Sequence, residues 1–119
     1  MVNRMQYETK VKLFVQQDPT EWISCAIVCL YDRDRLSRDD HLGMDITDSY
    51  GEATFRFTEE DFLDVDDRIG GTLPELYVRV YDSAGECVVS TRSDAARNTI
   101  PELIRIPIDR DVARKHGLI

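Results

Sequence analysis

Four aspartates lie close together in one stretch of the sequence, YDRDRLSRDDHLG, from Tyr31 to Gly43. They are Asp32, Asp34, Asp39 and Asp40, and Asp48 could approach them if the next turn folds back. Calcium takes about six to eight oxygen ligands, which several carboxylates, backbone carbonyls and water can supply together. The stretch therefore predicts a candidate calcium site on one loop.

The same stretch also fits a surface turn without a bound ion. An EF-hand is excluded, because Leu36 replaces the third oxygen ligand and no glycine occupies the sixth position. The acidic loop of calcium-dependent lipid-binding domains is more similar, but the earlier loop here offers only Asp18 and Glu21. We favour a turn held by local hydrogen bonds. Its aspartates would be neutralised in weak surface pairs by nearby arginines, namely Arg33, Arg35 and Arg38.

A second acidic group follows a predicted strand. Its members are Glu59, Glu60, Asp61, Asp64, Asp66 and Asp67. Thr58 and Asp61 have the spacing of a capping box, which predicts a short helical turn with a charged, solvated face and Phe62 in the core. A second cation site or a surface for a basic partner is the alternative.

The composition narrows the classes of partner. A formal net charge of -8 and a pI near 4.7 would repel nucleic acid. No apolar segment has the length of a signal peptide or a membrane span, so we expect a cytoplasmic protein by default, with export by a dedicated machine left open.

Catalytic and zinc-binding patterns are missing from the sequence. It has no G-x-S-x-G, H-E-x-x-H or phosphate-binding glycine loop. Its cysteines, Cys25, Cys29 and Cys87, are expected to be buried free thiols, and neither His41 nor His116 has a zinc-ligand spacing from them. Cys87 with His116 is a conceivable nucleophile and base, but a strand cysteine belongs more often to the core. We therefore predict no enzyme, no catalytic residues and no cofactor other than the calcium considered above.

Alternating short segments predict an all-β fold. Strands are expected at 9–15, 23–31, 53–57, 76–81, 86–92 and 103–108, with a break at DPTE after the first strand. Short strands between turn signals are typical of an antiparallel β-sandwich of about seven strands with one or two short helical segments. One domain, 1–119, is predicted, with a core at about 9–108 and an amphipathic tail at 109–119.

The strand at 23–31 is apolar on both faces. With Ala26, Val28 and Leu30 in the core, the residues on the other face are Cys25, Ile27 and Cys29. A solvated face should be polar, so we predict a covered interface there. The cover is either the chain's own helical segments, through Phe62, Leu63, Val112 or Leu118, or another subunit, and we favour the former. Trp22 is expected to be a partly buried anchor at a strand end.

Three segments in this order, AIVCLYDRDRLSRDDHLG, TDSYGEATFRF and PELYVRVYDSAGECVVSTR, resemble the transthyretin-like domains, which are close to the carboxypeptidase regulatory-like sandwiches. The resemblance implies a prealbumin-like topology used mostly for binding and assembly, including recruitment of cargo in bacterial secretion systems. One branch of the family hydrolyses 5-hydroxyisourate with histidines, an arginine and a C-terminal Tyr-Arg-Gly-Ser segment. This chain ends in RKHGLI and lacks a histidine in its first strand, so that active site is assigned to none of its residues.

These observations predict a non-enzymatic interaction or adaptor module whose partner is another protein or a second copy of the chain. A calcium-dependent binding module is the alternative, and a small hydrolase of the hydroxyisourate type is a third, less favoured one.

Overall fold

A computed structural model describes residues 6–34, 38–61, 73–95 and 99–119. In these ranges the strands are β1 (Gln6–Val15), β2 (Asp18–Trp22), β3 (Ile27–Asp32), β4 (Asp40–Ile46), β5 (Glu52–Thr58), β6 (Leu76–Tyr81), β7 (Cys87–Ser90) and β8 (Leu103–Ile108). Single 3-10 turns follow β5 and β7, at Glu59–Asp61 and Arg92–Asp94, and a helix, α1, spans Arg110–Lys115. No helix in the described part of the chain is long and apolar enough to cross a membrane.

The strands form two four-stranded sheets. In the first sheet, β1 pairs antiparallel with β2 and β5 and parallel with β8. The second sheet has the order β4-β3-β6-β7, and all its pairs are antiparallel. The predicted all-β sandwich is confirmed. The parallel β1–β8 pair departs from a purely antiparallel arrangement, because β8 returns beside β1 from a distant part of the sequence.

The core lies between the two sheets and follows the period-two pattern of the strands. Val11, Leu13 and Val15 of β1 are fully buried, as are Val28 and Leu30 of β3. Burying each such side chain contributes roughly 1.5–3 kcal/mol, so this apolar layer supplies most of the free energy that holds the two sheets together.

Two strand boundaries differ from the sequence-based prediction. The chain turns at 16–17 rather than at DPTE, and Asp18–Trp22 forms β2 beside β1. β3 begins at Ile27 rather than at Ile23, because Cys25 adopts a left-handed φ of 61° that a strand does not accommodate. Cys25 therefore lies outside the alternation that we had extended back to it.

Local capping was predicted more accurately. The backbone N–H of Thr58 donates to the Asp61 carboxylate at 2.7 Å, as a capping box requires, and a 3-10 turn follows. The predicted helical tail is present as α1, whose N-cap Asp109 accepts from the N–H groups of Asp111 and Val112. The remaining members of the second acidic group, with Phe62, lie outside the described residues.

Gly51 couples the β4–β5 hairpin to β1 and gives a test of the packing. Its φ is 72°, and an added Cβ would lie 2.6 Å from the Leu13 carbonyl oxygen. Gly85 has a similar φ of 81°, but an added Cβ there meets no atom within 4 Å. Gly51→Ala should therefore lower the free energy of unfolding by more than ~2 kcal/mol, and Gly85→Ala by only the ~1 kcal/mol of backbone strain. Denaturant unfolding measures both values, and equal losses would contradict this account.

Candidate functional site

The acidic loop joins β3 to β4 at one end of the second sheet. Asp32 and Asp40 are opposite each other in the ladder between these two strands. The backbone N–H of Asp34 donates to Asp39 Oδ1 at 2.9 Å, which draws the two sides of the loop together. The structure thus brings together Asp32, Asp34, Asp39 and Asp40, as the spacing predicts.

Asp39 is already neutralised by an arginine from a distant part of the sequence. Arg92 donates to it through Nε at 2.8 Å and through a terminal nitrogen at 3.3 Å, and the Tyr77 hydroxyl donates to the same carboxylate. The Arg92 guanidinium holds the pKa of the Asp39 carboxyl well below its usual range, and the Tyr77 hydroxyl acts in the same direction. Asp39 therefore closes the loop by binding protein donors.

Asp32 has the opposite electrostatic environment. Its carboxylate accepts the backbone N–H of Glu75 at 2.8 Å. Burial raises the pKa of Asp32 to about 6, and the negative charges of Asp40, Asp34 and Glu75 act in the same direction. The loop therefore holds one partly buried carboxyl whose ionised form is disfavoured by burial and by the neighbouring negative charges.

Arg33, one of the arginines expected to neutralise the loop aspartates, has other partners. Arg33 forms an ion pair with Glu75 at 3.0 Å and donates to the backbone carbonyl of Arg92, rather than neutralising a loop aspartate through these contacts. Arg92, which no local sequence pattern places at this loop, supplies the pair to Asp39. Arg35 and Leu36 lie outside the described residues.

Asp48 does not join the acidic loop, so the prediction that it could is wrong. β4 starts at Asp40 and ends at Ile46, which places Asp48 roughly 20 Å away at the other end of the sheet. There its carboxylate accepts the N–H groups of Tyr50 and Glu52 and holds the β4–β5 turn. Its role is local, as in other Asx turns.

The outer face of the second sheet is rich in apolar and aromatic side chains. The outer face is defined by seven side chains on neighbouring positions of β4, β3 and β6. They are Ile27, Cys29, Tyr31, Met44, Ile46, Arg79 and Tyr81. Ile27 is opposite both Ile46 and Tyr81 in the ladders. Met44 is 63% exposed and Ile46 is 55% exposed. Large apolar side chains are thus adjacent to one another and accessible to solvent.

Aromatic stacking orders the centre of this face. The Tyr31 and Tyr77 rings stack with centroids 5.1 Å apart, and the Arg79 guanidinium lies 5.2 Å from the Tyr31 ring. The Tyr31 and Tyr81 hydroxyl groups are 3.4 Å apart. Burial raises the pKa of both Tyr31 and Tyr77, the latter to about 12, so both are neutral near pH 7. The Arg79 guanidinium, held against the tyrosine rings, therefore lies beside the exposed side chains of Met44 and Ile46.

The described C-terminal segment does not cover this face. Val112 and Leu118, which we expected to cover it, instead pack against the core between the sheets. Phe62 and Leu63 lie outside the described residues. Of the predicted interface set, Ile27 lies on the outer face, Cys29 is buried there beneath its neighbours, and Cys25 is exposed outside β3.

Two of the three cysteines differ from the expectation of buried thiols. Cys25 and Cys87 are exposed, and Cys29 is buried. The conceivable but disfavoured pairing of Cys87 with His116 is not among the contacts of the described residues, in which His116 Nδ1 lies 2.9 Å from Asp82 Oδ2. Trp22 is 42% exposed and packs against Tyr50, with the Lys12 ammonium 4.2 Å from its ring, so it is less buried than a typical anchor.

A cleft of about 440 Å³ separates the edges of the two sheets between β7 and β8. Its size suits a small molecule. Within the described residues, Asp94 and Arg105 are the charged groups of its lining, and neither a cysteine nor a histidine contributes to it. The two hydroxyl groups of the lining contact backbone groups: Thr91 Oγ1 accepts the Val78 N–H at 2.9 Å, and Ser90 Oγ accepts the Arg92 N–H at 3.4 Å.

Comparison with known proteins gives information about the fold alone. No family model matches the chain, and no curated protein sequence does. Among solved structures, a 9R-lipoxygenase from Cyanothece PCC8801 is similar, with 19% identity and a TM-score of 0.50. The similarity covers 87% of this chain and 16% of that chain, so this chain corresponds to a small part of the lipoxygenase. The transthyretin-like resemblance stays a prediction.

The environment of Asp32 predicts a pH dependence of stability. Its folded-state pKa of about 6 lies above the value of roughly 3.9 for an unfolded chain, so its contribution to stability is lost as the pH rises through about 6. Asp32→Asn keeps an oxygen for the Glu75 N–H and cannot ionise. In the presence of a chelator, this variant should match wild type near pH 4, become progressively more stable than wild type between about pH 4 and pH 6, and keep a constant advantage at higher pH.

Asp48→Asn, which removes one negative charge far from the loop, is the matched control for the change in net charge. Chemical denaturation at several pH values measures the difference. A difference between Asp32→Asn and wild type that stays constant from pH 4 to 8 would contradict the assignment.

Proposed function

We propose that this protein is a non-enzymatic binding module that docks a partner protein on the outer face of its second sheet. The observation that carries the proposal is the exposure of Met44 and Ile46, 63% and 55%, beside Ile27 and Tyr81. The solvated face of an antiparallel sheet is normally polar, and clustered apolar exposure marks interaction sites. Aromatic and methionine side chains with an arginine are also typical of interface cores.

Charge favours a different protein over a second copy of the chain as the occupant. Arg79 lies near the centre of the face, held against Tyr31 and Tyr77. Two copies packed face to face would bring two guanidinium groups together where water is excluded, which is costly. A partner that surrounds a carboxylate with apolar side chains would instead pair with Arg79 and cover Met44 and Ile46.

A non-enzymatic role is supported by how the reactive groups are used. His116 contacts Asp82 rather than Cys87, and Asp39 is engaged by Arg92 and Tyr77. These side chains hold elements of the fold together. Among the described residues, the exposed apolar outer face therefore supports a binding function better than any group of reactive side chains supports catalysis.

Site-specific cross-linking tests the proposed interface. A photoreactive amino acid is placed at position 44 on the outer face or at position 56, where Arg56 is exposed on the first sheet. In cells that make the protein, position 44 should give a discrete adduct with another protein and position 56 should not. The captured protein, purified separately, should bind wild type, and Ile46→Asp and Arg79→Met should each weaken binding about tenfold or more.

The variant Arg56→Met is the control and should leave the affinity unchanged. An adduct of twice the chain mass would replace the partner protein by a second copy. Absence of an adduct at position 44, or equal affinity of Ile46→Asp and wild type, would reject the proposed surface.

A second candidate function, calcium-dependent binding through the acidic loop, is favoured by Asp32. Its partly buried carboxyl is surrounded by the like charges of Asp34, Asp40 and Glu75, and a divalent cation would relieve that repulsion. Asp32, Asp34 and Asp40 are the proposed ligands, because the β3–β4 ladder and the loop bring these carboxylates to the same end of the sheet.

Thermal melts decide this second candidate. Protein stripped with a chelator should gain several degrees in Tm on addition of millimolar calcium, because an ion that binds only the native state stabilises it. Asp34→Asn and Asp40→Asn should abolish the gain, and Asp48→Asn should retain it. An unchanged wild-type melt would leave the loop as an arginine-balanced turn.

A further inference from the structure

A second group of ligating side chains lies where the C-terminal helix meets the β6–β7 hairpin. Asp82 follows β6, Glu86 precedes β7, and His116 caps the C-terminus of α1. Among the described residues, this is the group in which one ligand atom from each of three metal-binding side chains lies within 4.8 Å of both others. His116 Nδ1 is 2.9 Å from Asp82 Oδ2 and 3.9 Å from a carboxylate oxygen of Glu86.

The backbone fixes two of these three groups in position. Asp82 is buried, and its Oδ1 accepts the N–H groups of Ala84 and Glu86, so Oδ2 is directed toward the histidine. His116 is held at the helix end by its N–H bond to the Val112 carbonyl, and Gly117 follows it with a left-handed φ of 69°. Such hydrogen bonds orient metal ligands in the same way as the outer-shell contacts of known metal sites.

We propose that Asp82, Glu86 and His116 form a Zn²⁺ site that fastens α1 to the β6–β7 hairpin. Zinc binds one imidazole nitrogen and carboxylate oxygens at about 2.0–2.2 Å, which separates neighbouring ligand atoms by about 3.3 Å in a tetrahedron. The observed separations of 2.9 and 3.9 Å lie on either side of that value. Small side-chain shifts would bring the three groups to the metal.

The proposed site has three protein ligands and one position open to solvent. The Glu86 side chain is 70% exposed, whereas those of Asp82 and His116 are 8% and 13% exposed. Glu86 can therefore close onto an ion held by the other two, and water would complete the coordination. In the absence of metal, the direct hydrogen bond between Asp82 and His116 links the same elements. None of the three ligands is a cysteine, so the cysteine–histidine spacings that disfavour zinc in the sequence do not apply to this group.

Zinc titration of the purified chain tests the site. Cys25→Ser and Cys87→Ser are introduced together as the background, because exposed thiols also bind zinc. Calorimetry in this background should give one Zn²⁺ per chain, and saturating Zn²⁺ should raise Tm by about 5 °C or more. Co²⁺ bound in place of Zn²⁺ should show the visible absorption of a four-coordinate ion.

Three variants separate a metal site from a simple ion pair. His116→Gln should abolish stoichiometric binding, and Glu86→Gln should weaken it at least about tenfold without changing the Tm of the metal-free protein, since Glu86 is exposed. His41→Gln, the change at the only other histidine of the sequence, should bind zinc as wild type does. Equal zinc affinity in Glu86→Gln and in the background, no Tm shift in the background, or loss of binding in His41→Gln would each overturn the proposal.

Discussion

The second sheet depends on β3, which is hydrogen-bonded along both edges and apolar on both faces. β4 and β6 pair with it over the same residues, so β3 fixes the register of the sheet. Its inward side chains, Val28 and Leu30, are fully buried in the core. Its outward side chains, Ile27 and Tyr31, form the middle of the outer face, and its last residue, Asp32, opens the acidic loop. Because side chains alternate, a one-residue shift of β3 would exchange core and surface together.

The two ends of β3 differ in charge: the loop end is rich in charged side chains, and the other end is apolar. At the loop end, Arg92 neutralises Asp39. The pKa of Asp32 is raised there, because the carboxyl is partly buried and has negatively charged neighbours. At the other end, Ile27 is directly opposite Ile46 in β4 and Tyr81 in β6, so neither of its ladder partners is charged. Arg79 lies between these regions, stacked on Tyr31. A partner that covers the apolar end thus meets a cation before it reaches the acidic loop, which gives the surface a direction.

The features that sequence reasoning predicted are those set by neighbouring residues. Alternation along LYVRVY predicts β6, the spacing of Thr58 and Asp61 predicts the capped 3-10 turn, and the apolar pattern of β3 predicts its two faces. Other errors concern how residues that are not neighbours in the sequence are arranged in space. Asp48 is separated from the loop by the full length of β4, and β8 pairs parallel with β1 from about ninety residues away. No local signal carries that information.

The same distinction explains why the residues of the acidic loop were identified but their partners were not. Asp32 to Asp40 are close in sequence, whereas Arg92, Tyr77 and Glu75 reach them only through strand pairing. His116 and Asp82 are 34 positions apart for the same reason. An acidic pair around a tight turn, with a histidine at the end of a following helix, is the weak signal that could have indicated them.

The outer face and the Asp82 group are linked through a single strand. Tyr81 contributes to the outer face, and Asp82 is the next residue of the chain, where β6 ends. The backbone N–H of Asp82 donates to Glu86, and its carboxylate binds the end of α1, so the helix holds the turn that positions Tyr81. Binding of an ion that holds α1 against the hairpin would therefore restrict the motion of this end of β6 and of Tyr81. The C-terminal end of α1 and the apolar end of the outer face thus meet at the end of β6.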